Sequence, residues 1–329
     1  MTRRLLLHIG HAKTGSSYAQ SMFALSVEAL RAAGVAYPQT GKMRRARAGM
    51  PTNGNAETWA DAVFASGNAN ERALDFDGTD TLLLSAESLT PRLARDNAAA
   101  HLANAANAND VDQIRVLLIT RDPLEHMIST YAQQIKAGHV VTLNKIAKAY
   151  NQPVIVGRAL RNLATLPNVE VDVVNYRRYL PNPAAIFATW LGIPAETLTL
   201  PPHTRVNRSL TVDEIAFQLR MNERFGRRTG IIAEPLMREL PDMLDPAPTL
   251  SLQGLRAFNA RLRPMVRDVN DLLPRSDRYR LGGPLAWIAP SRLWAHFTRR
   301  KDVRLTHEQV RLIVDGFANH LEPHIRRKK

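Results

Sequence analysis

Residues 8–17, HIGHAKTGSS, set a lysine, a threonine and two serines around two glycines, directly after the apolar run Leu5, Leu6, Leu7. Such donors suit a tetrahedral oxyanion, a phosphate or a sulfate. Glycine lets the backbone close around an anion without a side chain in the way. A helix that follows would aim unpaired N–H groups and about half a positive charge at it. The stretch YAQSMFALSVEALRAA supplies that helix, so strand, polar loop and helix come in the order of a phosphate-binding loop. Gly49 and Gly54 repeat the spacing of Gly10 and Gly15, so spacing alone decides little. Context singles out the first pair, because Lys13, Thr14, Ser16 and Ser17 lie between a strand and a helix. In the ATP-binding form of such a loop the lysine follows the second glycine and reaches the β and γ phosphates. Here Ser16 follows Gly15 and Lys13 precedes it, which argues against an NTPase.

A second group stands in RVLLITRDPLEHMISTY, residues 115–131. Asp122, Pro123 and Glu125 suit a helix start as cap, first helical residue and third-position partner. Arg121 has no such local explanation. It stands where a parallel strand would emerge, the region in which open α/β sheets bind ligands. Ser129 follows on the same expected helix. Glu87, in LLLSAESL, lies just past another apolar run. A partly buried glutamate at the ligand end of a sheet has a raised pKa, which suits a general base. The alternative for Glu87 is a structural pair with Arg92. His11, His126 and His139 are the rival bases. His8 and His11 lack a convincing metal-ligand spacing and no Asp or Glu cluster completes a site, so no metal requirement is expected.

The string HIGHAKTGSS resembles the phosphosulfate-binding loop of the sulfotransferases that use 3′-phosphoadenylyl sulfate (PAPS). Lys13, Thr14, Gly15, Ser16 and Ser17 fill that family's pattern K-[ST]-G-[ST]-[ST]. Arg121, with Ser129 eight residues later, is similar to the second motif of the family, which implies that these two bind the 3′-phosphate. Residues 171–194 resemble a family segment in which a strand meets an aromatic-acid pair and a helix ending in Leu-Gly. Tyr176, Leu191 and Gly192 match it, and Arg177 stands where an acid is usual. RVNRSLT at 205–211 resembles a late loop near the nucleotide, which adds Arg205 and Arg208, although Thr211 and Glu214 also read as a capping box. Ala12 and His11 replace the proline and aromatic common in cytosolic members, as the more permissive bacterial and carbohydrate-directed branches allow.

The resemblance covers roughly residues 4–20, 81–89, 114–131 and 171–211. It implies a PAPS-dependent sulfotransferase acting on a hydroxyl or amine of a small-molecule or carbohydrate acceptor, with adenosine 3′,5′-bisphosphate as the released product. Lys13 then stabilises the leaving group. Glu87 is the base, as a glutamate is in the glycan-directed branch, with histidine as the alternative. Two other classes stay open: a P-loop nucleotide kinase or NTPase, and a non-catalytic anion-binding protein.

These residues need strands to carry them. Apolar runs at 4–9, 81–86, 114–120 and 169–174 are separated by helical patterns, which predicts βαβ units. The runs are continuous rather than alternating, as central parallel strands covered on both faces require. The expected fold is α/β, a P-loop-like parallel β-sheet flanked by helices, with a mostly helical C-terminal region. Its domains are an α/β core over 1–210 and a helical, basic region over 211–329. Helical patterns at 211–223, 251–272 and 306–321 are interrupted by PDMLDPAP. Residues 41–57 and 66–80 lack apolar periodicity and read as long loops or lids; the Ala/Asn run at 97–109 reads as low complexity.

Composition narrows the classes. The 329 residues include no cysteine, which removes disulfide, thiolate-zinc, iron–sulfur and cysteine-nucleophile chemistry and favours a reducing compartment. Neither an export signal nor an apolar run long enough for a membrane span is read, so a cytoplasmic protein is expected. The net charge of +14 biases partners toward anions. From residue 250 onward 17 Lys or Arg stand against 7 Asp or Glu, which allows contact of that region with an anionic surface. Aromatics are only 6 % and no aromatic-interleaved basic stripe occurs, so nucleic acid is not expected as a partner.

Overall fold

A computed structural model describes residues 2–41, 43–50, 52–66, 74–202, 210–226, 233–240, 243, 248–282 and 303–326. The chain divides into two compact units: 1–123, 151–206 and 262–280 form the first, 124–150, 207–261 and 281–329 the second. Arg205 and Arg208 lie outside the described residues, as do most of PDMLDPAP and the basic tail beyond Arg326.

In the first unit β1 (Arg4–His8) leads through residues 9–15 into α1 (Ser16–Leu25) and α2 (Val27–Ala32). Then come β2 (Val35–Ala36), α3 (Met43–Arg47), α4 (Glu57–Asp61) and one π-helical turn (Ala62–Ser66). β3 (Thr81–Ser85), α5 (Leu89–Leu93), α6 (Ala98–Asn107) and β4 (Gln113–Thr120) follow. The chain then enters the second unit with α7 (Pro123–Lys136) and α8 (Leu143–Ala149), and the first unit resumes with α9 (Gln152–Leu163), β5 (Val169–Asn175), α10 (Tyr176–Tyr179) and α11 (Pro183–Leu191).

The five strands form one parallel sheet in the order β2-β3-β1-β4-β5, so the expected α/β fold with a parallel sheet flanked by helices is found. Leu5 and Leu7 on one face of β1 and Leu6 on the other are all buried, which is why that strand reads as an unbroken apolar run. Burying each such side chain contributes about 1.5–3 kcal/mol. On the Leu6 face, Met22 and Phe23 of α1 pack with Phe187 and Trp190 of α11 and with Tyr179.

Two expectations give way. Residues 41–57 and the start of 66–80 are not bare loops, because α3, α4 and the π turn occupy 43–47 and 57–66. Met43 and Ala46 of α3 are buried in the same cluster as α1, and so short a helix shows no sequence periodicity. The Ala/Asn run forms α6, which buries Ala98, Leu102, Ala105 and Ala106, a helical spacing that alanine hides from a hydrophobicity reading.

Among the described residues after 210, every regular element is helical: α12 (Val212–Phe225), α13 (Ala233–Glu239), α14 (Leu252–Asn270), one 3₁₀ turn (Arg275–Asp277) and α15 (His307–Arg326). None of these helices is long and apolar enough to cross a membrane. In the second unit Tyr131, Ala132 and Ile135 of α7 pack with Leu210, Ile215 and Ala233, and Leu236 with Leu312 and Ile313. Thr211 and Glu214 form the expected capping box at the start of α12. The Asn222 side chain donates to the carbonyls of Ile135 and His139 at 2.7 and 3.0 Å and closes the end of α7.

Candidate functional site

Because β3, β1, β4 and β5 are parallel, their carboxyl ends lie along one edge of the sheet. The residues that leave that edge include Glu87 after β3, Lys13 after β1, Arg121 after β4 and Tyr176 after β5. Parallel α/β sheets bind ligands at this edge.

The loop between β1 and α1 is fixed from inside. Ile9 continues the pairing of β1 by donating to the Leu117 carbonyl at 2.9 Å. The Thr90 hydroxyl donates to the Ile9 carbonyl, and the buried Thr14 hydroxyl to the His11 carbonyl at 2.6 Å. Lys13 has φ 70° and Gly15 φ 84°, so the chain twice enters the left-handed region within three residues. At Gly15 the conformation favours glycine, and a Cβ there would also lie 2.8 Å from the Tyr179 ring. No side chain caps the N-terminus of α1, so its first N–H groups keep their capacity for an external acceptor. The Ser16 hydroxyl is buried, 2 % exposed as a residue, and makes no formed hydrogen bond. It nevertheless lies near enough to Glu87 to favour that carboxylate.

Lys13 and Glu87 face each other electrostatically. Burial lowers the Lys13 pKa from 10.5, and Arg121 adds to the lowering while Glu87 opposes it. Burial raises the Glu87 pKa from 4.5; Lys13 and Ser16 oppose that rise and Glu57 adds to it. The structural pair with Arg92 does not form, because the Arg92 guanidinium reaches Asp61 at 2.7 Å and Glu57 at 3.5 Å.

His8 and His11 are both tied into the scaffold. His11 accepts at Nε2 from the Arg121 backbone N–H at 3.2 Å, and its Nδ1 faces the Ala12 carbonyl at 3.3 Å. One tautomer, protonated at Nδ1, satisfies both contacts. His8 bonds Ser85 Oγ through Nδ1 at 2.9 Å and stands edge-on to Phe187. Burial holds both imidazoles neutral, at a pKa of about 4. A ring whose lone pair is already used by a backbone N–H is poorly placed to accept a substrate proton. His126 and His139 belong to the second unit, where His126 packs on Tyr150 with ring centroids 5.6 Å apart.

Beyond β4 and β5 the register continues into side chains. Thr120 pairs with Asn175; next, the Arg121 guanidinium lies over the Tyr176 ring at 4.8 Å, and Arg177 pairs with Asp122 at 2.8 Å. Asp122 also accepts from Asn175 Nδ2 at 3.2 Å and from the Arg280 N–H at 2.9 Å. Arg177, which stands where the resembled family has an acid, thus has an acid of its own one position after Arg121. The Arg121 guanidinium donates to the Lys13 carbonyl at 3.0 Å, which ties the β4 exit to the β1 loop.

Of the residues singled out by sequence, Lys13, Thr14, Gly15, Ser16, Ser17, Glu87 and Arg121 all belong to the first unit; Ser129 belongs to the second, half-buried on α7. Sequence reasoning missed Thr90 and Tyr179, which brace the loop, and Asn55. The side chain of Asn55 donates to the Leu83 carbonyl at 3.0 Å and accepts from the Ser85 N–H at 2.8 Å, beside the exit to Glu87. Only the asparagine–glycine pair of Gly54 and Asn55 could have signalled a special turn there. Among the described residues no group of three or more His, Asp or Glu side chains is placed to hold a metal.

No protein-family profile matches the sequence, and no curated protein matches it. Among solved structures, that of retinol dehydratase in complex with androsterone and inactive cofactor PAP is similar over 98 % of this chain and 82 % of that one. The identity is 10 % and the TM-score 0.31, a likeness too low to carry over fold or ligand.

Proposed function

We propose that this chain is a PAPS-dependent sulfotransferase that transfers a sulfonate to a hydroxyl or amine of a small-molecule or carbohydrate acceptor. The observation that carries the reading is that Lys13 and Glu87, leaving neighbouring parallel strands at the carboxyl edge of the sheet, lie within electrostatic reach of each other, with the uncapped N-terminus of α1 following Lys13. A glycine-bearing loop that offers a cation and helix N–H groups suits an anionic donor. The buried Ser16 hydroxyl, beside the Glu87 carboxylate, fits the same use. On this reading Lys13, Thr14, Gly15, Ser16 and Ser17 hold the phosphosulfate end, and Arg121 the 3′-phosphate. PAPS supplies a sulfonate on a phosphate leaving group.

Glu87 takes the proton of the acceptor O–H or N–H while the acceptor atom bonds to sulfur and the sulfur–oxygen bond to the 5′-phosphate breaks. Lys13 and the N–H groups of α1 stabilise the charge that gathers on that phosphate. The raised Glu87 pKa makes it a stronger base than a solvated glutamate. The absence of cysteine agrees with a cytoplasmic enzyme.

Calorimetric binding of adenosine 3′,5′-bisphosphate against ATP, with and without magnesium, tests the reading on wild type and Arg121→Ala. Micromolar, magnesium-independent binding of the bisphosphate that collapses in the variant is expected. Preference for ATP, or no nucleotide binding, overturns the reading in favour of a kinase or an anion-binding protein.

A further inference from the structure

Tyr176 is half-buried beside the candidate site and carries no charge of its own. Its neighbours give it a defined position. The Asn175 side chain caps α10 by accepting from the Arg177 N–H at 3.1 Å. The Asn175 N–H donates to the buried Asp277 carboxylate at 2.8 Å, and Arg177 pairs with Asp122. Tyr176 is therefore held by anchored residues on both sides. Its ring stacks on Tyr179, centroids 5.7 Å apart and 29° between planes. Tyr179 is itself buried edge-on against Phe187. This two-ring stack also lines Gly15, where an added Cβ would meet Tyr179 at 2.8 Å and Tyr176 at 3.3 Å.

The Arg121 guanidinium lies over the Tyr176 ring at 4.8 Å and donates to the Lys13 carbonyl at 3.0 Å. An arginine is a long, rotamer-rich side chain whose bidentate contacts depend on the plane of its guanidinium. A ring face attracts the cation while leaving the rim of N–H donors directed sideways.

We propose that Tyr176 is a positioning residue whose ring orients Arg121 for a phosphate ester on the ribose of the donor. The inference rests on the donor reading given above. It predicts an effect confined to the increment in affinity that the 3′-phosphate supplies. A ring that merely packed in the core would affect every ligand and the stability alike.

The experiment measures binding of adenosine 3′,5′-bisphosphate and adenosine 5′-monophosphate at one ionic strength, to wild type, Tyr176→Phe and Tyr176→Leu. Wild type is expected to prefer the bisphosphate. Tyr176→Phe keeps the preference, and Tyr176→Leu lowers it roughly tenfold with monophosphate affinity within about twofold of wild type. In an Arg121→Ala background Tyr176→Leu has no further effect on the preference. Should the leucine variant not fold, fluorinated phenylalanines at position 176 keep the shape and weaken the ring face stepwise, and the preference falls with each fluorine. An unchanged preference in Tyr176→Leu or across the fluorinated series overturns the inference, as does an equal loss of both ligands. A wild type that binds both ligands equally, or neither, overturns the donor reading itself.

Discussion

Lys13 and Glu87, from segments that leave the neighbouring strands β1 and β3, hold each other's charged forms against burial. Burial outweighs the attraction on both sides: Glu87 ionises above 4.5 and Lys13 loses its proton below 10.5.

The proposed base works deprotonated and the proposed cation works protonated, so kcat against pH should be bell-shaped. Its acid limb lies above 4.5 and its alkaline limb below 10.5. Lys13→Met removes the charge that favours the carboxylate, so it should move the acid limb to higher pH and cut kcat by about 10²–10³. Glu87→Gln should remove the acid limb and cost about 10²–10⁴ in kcat. Steady-state rates from pH 5 to 10 decide, and an acid limb that persists in Glu87→Gln sinks the assignment.

His8 and His11 make the fold acid-sensitive. Both pKa values fall from 6.5 to about 4 on folding, so the neutral forms stabilise the native state above pH 6.5 and that contribution is lost as pH falls toward 4. Each histidine should cost on the order of 2 kcal/mol by pH 5 relative to pH 7. Urea unfolding at the two pH values measures the loss, and His8→Asn should flatten part of the slope.

Gly54 has φ 88°, and a Cβ there would stand 1.9 Å from the Ser85 carbonyl oxygen. Backbone faces backbone, so no side chain can yield. Gly54→Ala should destabilise the protein by about 3 kcal/mol or more. Gly49 also has a positive φ but nothing within 4 Å; Gly49→Ala should cost only about 1 kcal/mol. Equal losses in thermal unfolding would contradict the geometry.

Asp277, 1 % exposed, accepts from the Asn175 N–H and pairs with Arg178 at 2.5 Å. Asp277→Ala leaves a buried N–H without its acceptor, worth about 2 kcal/mol. Arg178 is half-exposed and adds little. Denaturant unfolding should show that loss, and bisphosphate affinity should fall with it because Asn175 adjoins Tyr176.

The strands that carry chemistry were legible in sequence because burial on both faces writes them as unbroken apolar runs, as in Leu5–Leu7 and Val116–Ile119. β2 was not, being two residues long. The gathering of Lys13, Glu87 and Arg121 was legible in outline, since parallel strands deliver their carboxyl ends to one edge. What lies between them was not. The contacts of Arg121 with Tyr176 and of Asp122 with Arg177 depend on the register of β4 against β5, which no local pattern records. Read locally, Asp122 is a helix cap; in the fold its carboxylate receives Arg177, Asn175 and Arg280. The bond that occupies the His11 lone pair likewise comes from the distant Arg121 N–H.

β2 pairs with only Thr81 and Leu82 of β3; beyond them the flank is covered by residues 55–56, where the Ala56 N–H donates to the Ser85 carbonyl at 3.3 Å. The Asn55 amide seals it by supplying both a donor and an acceptor to Leu83 and Ser85. Unsealed, that flank would be a template on which an extended segment of another molecule could zip, and intermolecular sheet growth starts at such places. Asn55→Ala, which removes the two hydrogen bonds of the Asn55 amide and leaves that of the Ala56 N–H, should raise the aggregation rate on mild heating more than its loss of stability accounts for.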